Sequence, residues 1–162
     1  MTRVQSRRED SIIRKRTVFL ILFLAVLDVS MTLLGPPETL DMKLYYSGDQ
    51  ARALLQSFSP TQLHAYFINE LFDLLLMSSY TVLYFIGLTW AFPSRRIFKT
   101  LAFVPAAFDF IETSFILYAT KFPGPHAFFD WLGYATFLKW TTGTVLTTIY
   151  LYGLVHHLRR RR

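Results

Sequence analysis

Four long apolar runs separated by short polar segments are the feature of this 162-residue sequence that most restricts its fold. Each run is close to the ~20 residues that a helix needs to cross a bilayer. Open sheets would leave backbone groups unpaired in lipid, and the alternating pattern of a barrel strand is missing. The sequence therefore predicts an all-α fold, an integral membrane four-helix bundle in a single domain, with spans at about 18–34, 66–92, 100–120 and 131–155.

The composition does not suit a water-soluble domain of this length. Hydrophobic residues make up 52% of the chain and aromatic residues 17%. A soluble core built from so short a chain would be too small to hide that many apolar side chains. The chain has no cysteine, which excludes a disulfide framework, a thiolate metal site and a cysteine nucleophile.

Basic residues predict the orientation of the chain in a membrane. Of 17 Lys and Arg residues, 13 lie in three segments: Arg3–Arg16, 95–99 and Arg159–Arg162. Each segment flanks an apolar run, which is typical of charge that sets topology and not of a nucleic-acid surface. We therefore expect no nucleic-acid partner. We expect both termini in the cytoplasm, with basic tails at 1–17 and 156–162 and a long outer loop at 35–65.

The first apolar run also has the basic flank and apolar core of a signal peptide. Three features favour a retained helix instead. The run is long, Asp28 lies inside it, and no A-x-A-like cleavage site follows it.

The long outer loop contains local signals for helix starts. The stretch "SGDQARALLQSF" predicts a short amphipathic helix capped by Ser47 or Asp49, whose apolar side would lie on the lipid surface or on the other helices. The stretch "SPTQ" then predicts the start of the second long helix. There Ser59 would be the N-cap, Pro60 the first helical residue, and Gln62 the partner that completes a capping box.

Ionisable residues interrupt all four apolar runs. Such side chains are costly in hydrocarbon and usually face the interior of a bundle or a wet cavity. Counted from the cytoplasmic ends at ~1.5 Å per residue, all of them fall between the midplane and the outer face. We therefore expect one ligand-binding pocket, open toward the outer side and lined by Asp28, Glu70, Asp73, Asp109, Glu112 and Lys139.

Spacing adds detail to this pocket. Asp109 and Glu112 are three residues apart and share a helix face, as do Glu70 and Asp73 on the preceding run. Five carboxylates against one ammonium need protons, a bound cation, a cationic ligand or water to offset their charge. Structural explanations stay open for single members, such as a headgroup position for Glu70 and a tether role for Lys139.

Five stretches together resemble a family of small bacterial four-span membrane proteins of uncharacterised function. They are "LD" in the first run, "LDMKLYYSGDQARALLQSF", "ELFDLLLMSSY", "PAAFDFIET" and "LKW", and Thr113 stands where an amide is expected. The resemblance implies a multi-pass protein of the bacterial inner (plasma) membrane. In architecture alone the chain is similar to the sterol isomerase and sigma-2 receptor group, which implies an intramembrane, acid-lined pocket for amphiphiles.

These observations favour a membrane protein that binds a small amphiphilic or cationic, lipid-like ligand. Three alternatives stay open: an isomerase-like acid–base enzyme whose catalytic candidates are Asp109 and Glu112, a cation or proton transporter, and a structural subunit with a protein partner. The sequence has no phosphate loop, nucleophile elbow or zinc motif, so we expect neither a cofactor nor a metal. The expected partners are the lipid bilayer and the ligand or cation.

Overall fold

Helices account for all the regular structure in the computed structural model, which describes residues 3–92, 94–122, 124 and 126–160. Over that range the chain contains no strand, so the predicted all-α class is confirmed. The helices are α1 (Arg3–Leu34), α2 (Gly48–Ser57), α3 (Pro60–Ala91), α4 (Arg96–Leu101), α5 (Val104–Lys121) and α6 (Phe129–Arg160).

Two stretches are long and apolar enough to cross a membrane, namely α3 and the α4–α5 segment 96–121. The apolar part of α1, Thr17–Leu33, is shorter. In α6 the helix is long, with 32 residues, but Lys139 and a run of threonines reduce its apolar character. Among the described residues, length and hydropathy thus mark two of the four predicted spans.

Local capping defines where α2 and α3 begin. Ser47 caps α2 and exchanges hydrogen bonds with Gln50, while Ser59 and Gln62 form the same capping box at the start of α3. Pro60 occupies the first turn of α3, where its missing N–H has no intrahelical partner to lose. These predicted caps are confirmed, with Ser47 and not Asp49 as the cap of α2.

The third apolar run is two helices and not one. α4 ends at Leu101, α5 begins at Val104, and Pro105 stands in the first turn of α5. A proline inside a continuous helix would clash with the carbonyl one turn earlier, so the chain breaks before it. α5 is therefore a separate helix, and both Asp109 and Glu112 are buried within it.

The long helices pack around α3, which contacts α1, α5 and α6. α5 lies against both α3 and α6, and α2 lies on α6. α1 packs mainly against α3. Two apolar clusters bracket the polar residues: one around Tyr66, Ile116 and Leu132, and one around Leu88 and Leu146.

The segment between α1 and α2 folds back over one end of the helices. The Leu40 N–H donates to the Tyr66 hydroxyl at 3.0 Å, and the Trp140 indole N–H donates to the Asp41 carbonyl at 3.2 Å. Leu40 and Tyr46 are fully buried or nearly so. Gly133 makes this approach possible, because a Cβ there would stand 1.9 Å from the Tyr46 carbonyl oxygen. α2 follows, and its residues Leu54 and Leu55, together with its C-cap Phe58, pack against the apolar cluster around Tyr66.

Candidate functional site

A buried lysine joins two carboxylates at the centre of the polar region. The Lys139 Nζ lies 3.0 Å from Asp109 Oδ1 and 2.7 Å from Glu112 Oε2. Asp109 and Glu112 are 2% and 0% exposed, so water screens these ion pairs less than it screens pairs at the surface. The pairs connect α5 to α6, and they use the shared face that the three-residue spacing predicts.

Two hydroxyls hold the second oxygen of Glu112. Thr136 of α6 and Tyr46 of the α1–α2 segment both donate to Oε1, the tyrosine at 3.3 Å. Burial, followed by the nearby Glu112 carboxylate, raises the pKa of the Tyr46 phenol, so Tyr46 stays a proton donor. Every oxygen of Glu112 therefore has a partner within the protein.

Asp109 is similarly held from two sides. Its Oδ2 accepts a hydrogen bond from the Tyr80 hydroxyl at 2.7 Å, while Oδ1 faces Lys139. Tyr80 lies seven residues after Asp73 on α3 and therefore on the same helix face. Asp109 thus ties α3, α5 and α6 together.

Asp73 is the cavity-lining carboxylate that uses only one of its two oxygens in a hydrogen bond with the described residues. Its Oδ2 accepts from the Thr113 hydroxyl at 2.9 Å, and the structure gives Oδ1 no partner among the described residues. The residue is 5% exposed and lines a cavity. Thr113 thus supplies a donor that positions Asp73.

Glu70 is enclosed without any donor. It is 0% exposed, and both carboxylate oxygens are buried with no hydrogen-bond partner among the described residues. The neighbouring Asn69 Oδ1 and the Asp41 Oδ1 of the α1–α2 segment are buried and unpartnered in the same way. An ionised Glu70 would leave an uncompensated charge in a dry environment, which is costly.

Asp28 lies apart from the ion-paired cluster. It is an exposed residue of α1, and its side chain has no ion pair among the described residues. It nevertheless lines the same cavity as Asp73 and Asp109.

The cavity has a volume of about 670 Å³, within the usual range for pockets that hold small molecules. It is partly open and lies among α1, α3, α5, α6 and the segment that precedes α2. Its charged lining consists of four acids and one base, among the residues that the structure describes. They are Asp28, Asp41, Asp73, Asp109 and Lys139.

The six predicted residues differ in whether they are ion-paired, whether they line the cavity and whether they are enclosed in the protein. Asp109, Glu112 and Lys139 form one ion-paired group. Asp28, Asp73, Asp109 and Lys139 line the cavity, whereas Glu70 and Glu112 are enclosed in the protein and do not line it. Within the described residues no group of three or more His, Cys, Asp or Glu is arranged to hold a metal ion.

Sequence reasoning missed the hydroxyl and acid partners of the cluster. Tyr80 could have been found from its seven-residue spacing to Asp73, because that interval returns to the same helix face. Thr136 could likewise have been found, since it precedes Lys139 by three residues on α6. Tyr46 and Asp41 have no comparable signal, because a loop brings them in.

The geometry restricts what the carboxyl pair can do chemically. Lys139 stands between Asp109 and Glu112, and Glu112 has no surface on the cavity. A proton exchange between substrate and both carboxyls would first require this ion pair to open. Binding of a positive group at the cavity wall requires no such change.

Comparison with protein-family models, with curated proteins and with solved structures finds no match to this chain.

Proposed function

We propose that the chain is a four-span protein of a bacterial inner membrane, a bundle of α1, α3, α4–α5 and α6 with both termini in the cytoplasm. The apolar lengths of α3 and of the segment 96–121 support this, as do the three basic clusters. Outward-facing apolar side chains on α1 support it further, since Phe19, Leu22 and Val26 are each more than 60% exposed. In water such a surface would be unstable, whereas in lipid it is solvated.

The topology can be tested by cysteine labelling, because the chain has no cysteine of its own. Each variant then carries a single cysteine. We expect Glu38→Cys to react with a membrane-impermeant maleimide in right-side-out vesicles. We expect Ser94→Cys to react only in inverted vesicles. Both positions are exposed. Labelling of the two variants from the same side would contradict the four-span arrangement.

We further propose that the cavity binds a small amphiphilic or cationic molecule, with its positive group against Asp73. The observation that carries this proposal is a cavity with four acids and one base on its wall, in which the base is already committed. Lys139 is paired with Asp109 and with Glu112, whose two negative charges together already exceed its single positive charge. A cationic ligand would supply that missing charge.

Asp73 is the best-placed contact for the cation. Its Oδ2 is held by Thr113, which positions the carboxylate, and its Oδ1 remains without a partner. Asp109 offers less, because Tyr80 and Lys139 occupy its two oxygens. Hydrogen bonds to a charged group contribute about 1.5–3 kcal/mol, more than neutral ones.

Removing the charge of Asp73 tests the proposal. We expect Asp73→Asn to weaken binding of hexadecylamine by about tenfold or more, the equivalent of ~1.4 kcal/mol. The amide oxygen can still accept from Thr113, so the fold is retained. Binding is measured with radiolabelled amine on protein-containing nanodiscs, corrected for uptake by empty nanodiscs.

Two controls make that result specific. Glu38→Gln removes an exposed carboxylate of the outer segment and should leave amine binding unchanged. Hexadecanol, which matches the chain but carries no charge, should bind the wild type and Asp73→Asn equally. An amine affinity that is the same in Asp73→Asn and in the wild type would refute the contact.

A further inference from the structure

The exposure of its lining residues shows where the cavity can open. Its floor, formed by Asn69, Asp73, Pro105 and Asp109, is buried. Exposed lining residues lie at two places. Pro37 and Met42 belong to the segment before α2. The others stand on two helices and are here called the α1–α6 mouth. These are Asp28 and Thr32 on α1 and Trp140, Thr144 and Thr148 on α6.

Helix packing explains why the mouth lies between α1 and α6. α6 is held by α2, α3 and α5, whereas α1 packs mainly against α3. α1 and α6 therefore make few contacts with each other, and the mouth lies between them. Gly143 sits beside it on α6, and a Cβ at that position would meet no atom within 4 Å.

Two of the three threonines at the mouth have hydroxyls that are satisfied within their own helices. Thr32 and Thr148 each donate a hydrogen bond to the carbonyl four residues earlier in the same helix, at 3.0 and 2.9 Å. The methyl groups of these two threonines therefore remain to contact a molecule in the mouth. Met31 and Leu76 add apolar surface to the wall of the cavity. Such a passage suits an alkyl chain, whereas the floor suits a cation.

Asp28 is the exception, an exposed carboxylate at the edge of the mouth. In the proposed topology it lies on a membrane-spanning helix, about 16 Å from its cytoplasmic end. A lipid-facing carboxylate at that depth is costly unless a positive group approaches it. Asp28 would therefore attract a cationic headgroup at the mouth, as Asp73 would at the floor.

We infer that the cavity takes up its ligand sideways from the bilayer, through the α1–α6 mouth, and that the ligand is a membrane-resident long-chain amine or ammonium. Its headgroup lies against Asp73 at the floor, and its chain passes between α1 and α6 into lipid. The inference rests on the proposed ligand-binding function. It adds the route and the class of ligand.

The position of the chain can be mapped directly in the wild-type protein. The probe is hexadecylamine carrying a diazirine at mid-chain, irradiated in nanodiscs and located by mass spectrometry. We expect adducts on both sides of the mouth, within 28–32 and 140–148, and we expect excess unlabelled hexadecylamine to abolish them.

A plugging variant tests the same route by affinity. Gly143→Phe places a ring in the open space beside the mouth, and we expect it to reduce hexadecylamine binding by at least about tenfold. Val145→Phe is the matched control, because it adds a ring to an exposed position of α6 that does not line the cavity. Val145→Phe should bind like the wild type.

The outcomes separate the route from the function. Competable adducts confined to the segment 36–42 would overturn lateral access while the ligand-binding proposal stands. Adducts that unlabelled amine does not compete for would overturn both. Equal amine affinity in Gly143→Phe and Val145→Phe would also overturn the inference that the ligand enters through the α1–α6 mouth.

Discussion

Lys139→Met is expected to lower the free energy of unfolding by ~3–5 kcal/mol, because it leaves two buried carboxylates without their cation. The ammonium lies within 3.0 Å of both Asp109 and Glu112, and all three side chains are almost fully shielded. Methionine retains most of the length of the side chain and removes the charge. The loss is measured by equilibrium unfolding in mixed micelles, followed by circular dichroism.

A surface ion pair provides the matched comparison for Lys139. Lys43 lies 2.7 Å from Glu38, but the two side chains are 32% and 58% exposed. Since exposed pairs contribute at most about 1 kcal/mol, Lys43→Met should have a small effect. If Lys139→Met unfolded no more easily than Lys43→Met, the ammonium would not be what compensates the two acids.

Removing the acids together with the lysine should recover stability. In the triple variant Lys139→Met, Asp109→Asn, Glu112→Gln no buried charge remains to be compensated, and Tyr80, Tyr46 and Thr136 can still donate to amide oxygens. Breaking one partner of a buried pair costs more than replacing the whole pair. We therefore expect the triple variant to be more stable than Lys139→Met alone.

Gly133→Ala is expected to destabilise the protein by about 3 kcal/mol, at the upper end of the cost of overpacking. The new Cβ would stand 1.9 Å from the Tyr46 carbonyl oxygen and 3.0 Å from its carbonyl carbon. These are backbone atoms and cannot swing aside as a flexible side chain can. The segment that carries Tyr46 must move off α6, and the hydrogen bond from Tyr46 to Glu112 is lost with it.

Gly143→Ala is the control on the same helix. No atom lies within 4 Å of its Cβ position, so the substitution meets no obstacle. Since alanine is favoured over glycine in a helix interior by about 0.5–1 kcal/mol, Gly143→Ala should be neutral or stabilising. Equal stability of the two variants would mean that the α1–α2 segment does not pack closely on α6. Unfolding in mixed micelles decides between the two results.

Some of the site was predictable because it follows from helix periodicity. The three-residue spacing of Asp109 and Glu112 puts them on one face, and both do meet the same lysine. The same spacing says nothing about how far each side chain reaches. Glu70 and Asp73 share a face of α3, yet Asp73 lines the cavity while Glu70 is enclosed. Their different positions along α3, relative to the neighbouring helices and the α1–α2 segment, make that difference.

The sequence by itself determined the all-helical class and the capping boxes at Ser47 and Ser59. These features depend on contacts within about four residues of the chain, which the order of residues specifies directly. Only the tertiary structure decided which carboxylates Lys139 neutralises, that Asp73 keeps a free oxygen, and that Tyr46 reaches Glu112 across 66 positions. Those pairings depend on which helices are neighbours and how each is rotated. Packing of the whole chain sets both.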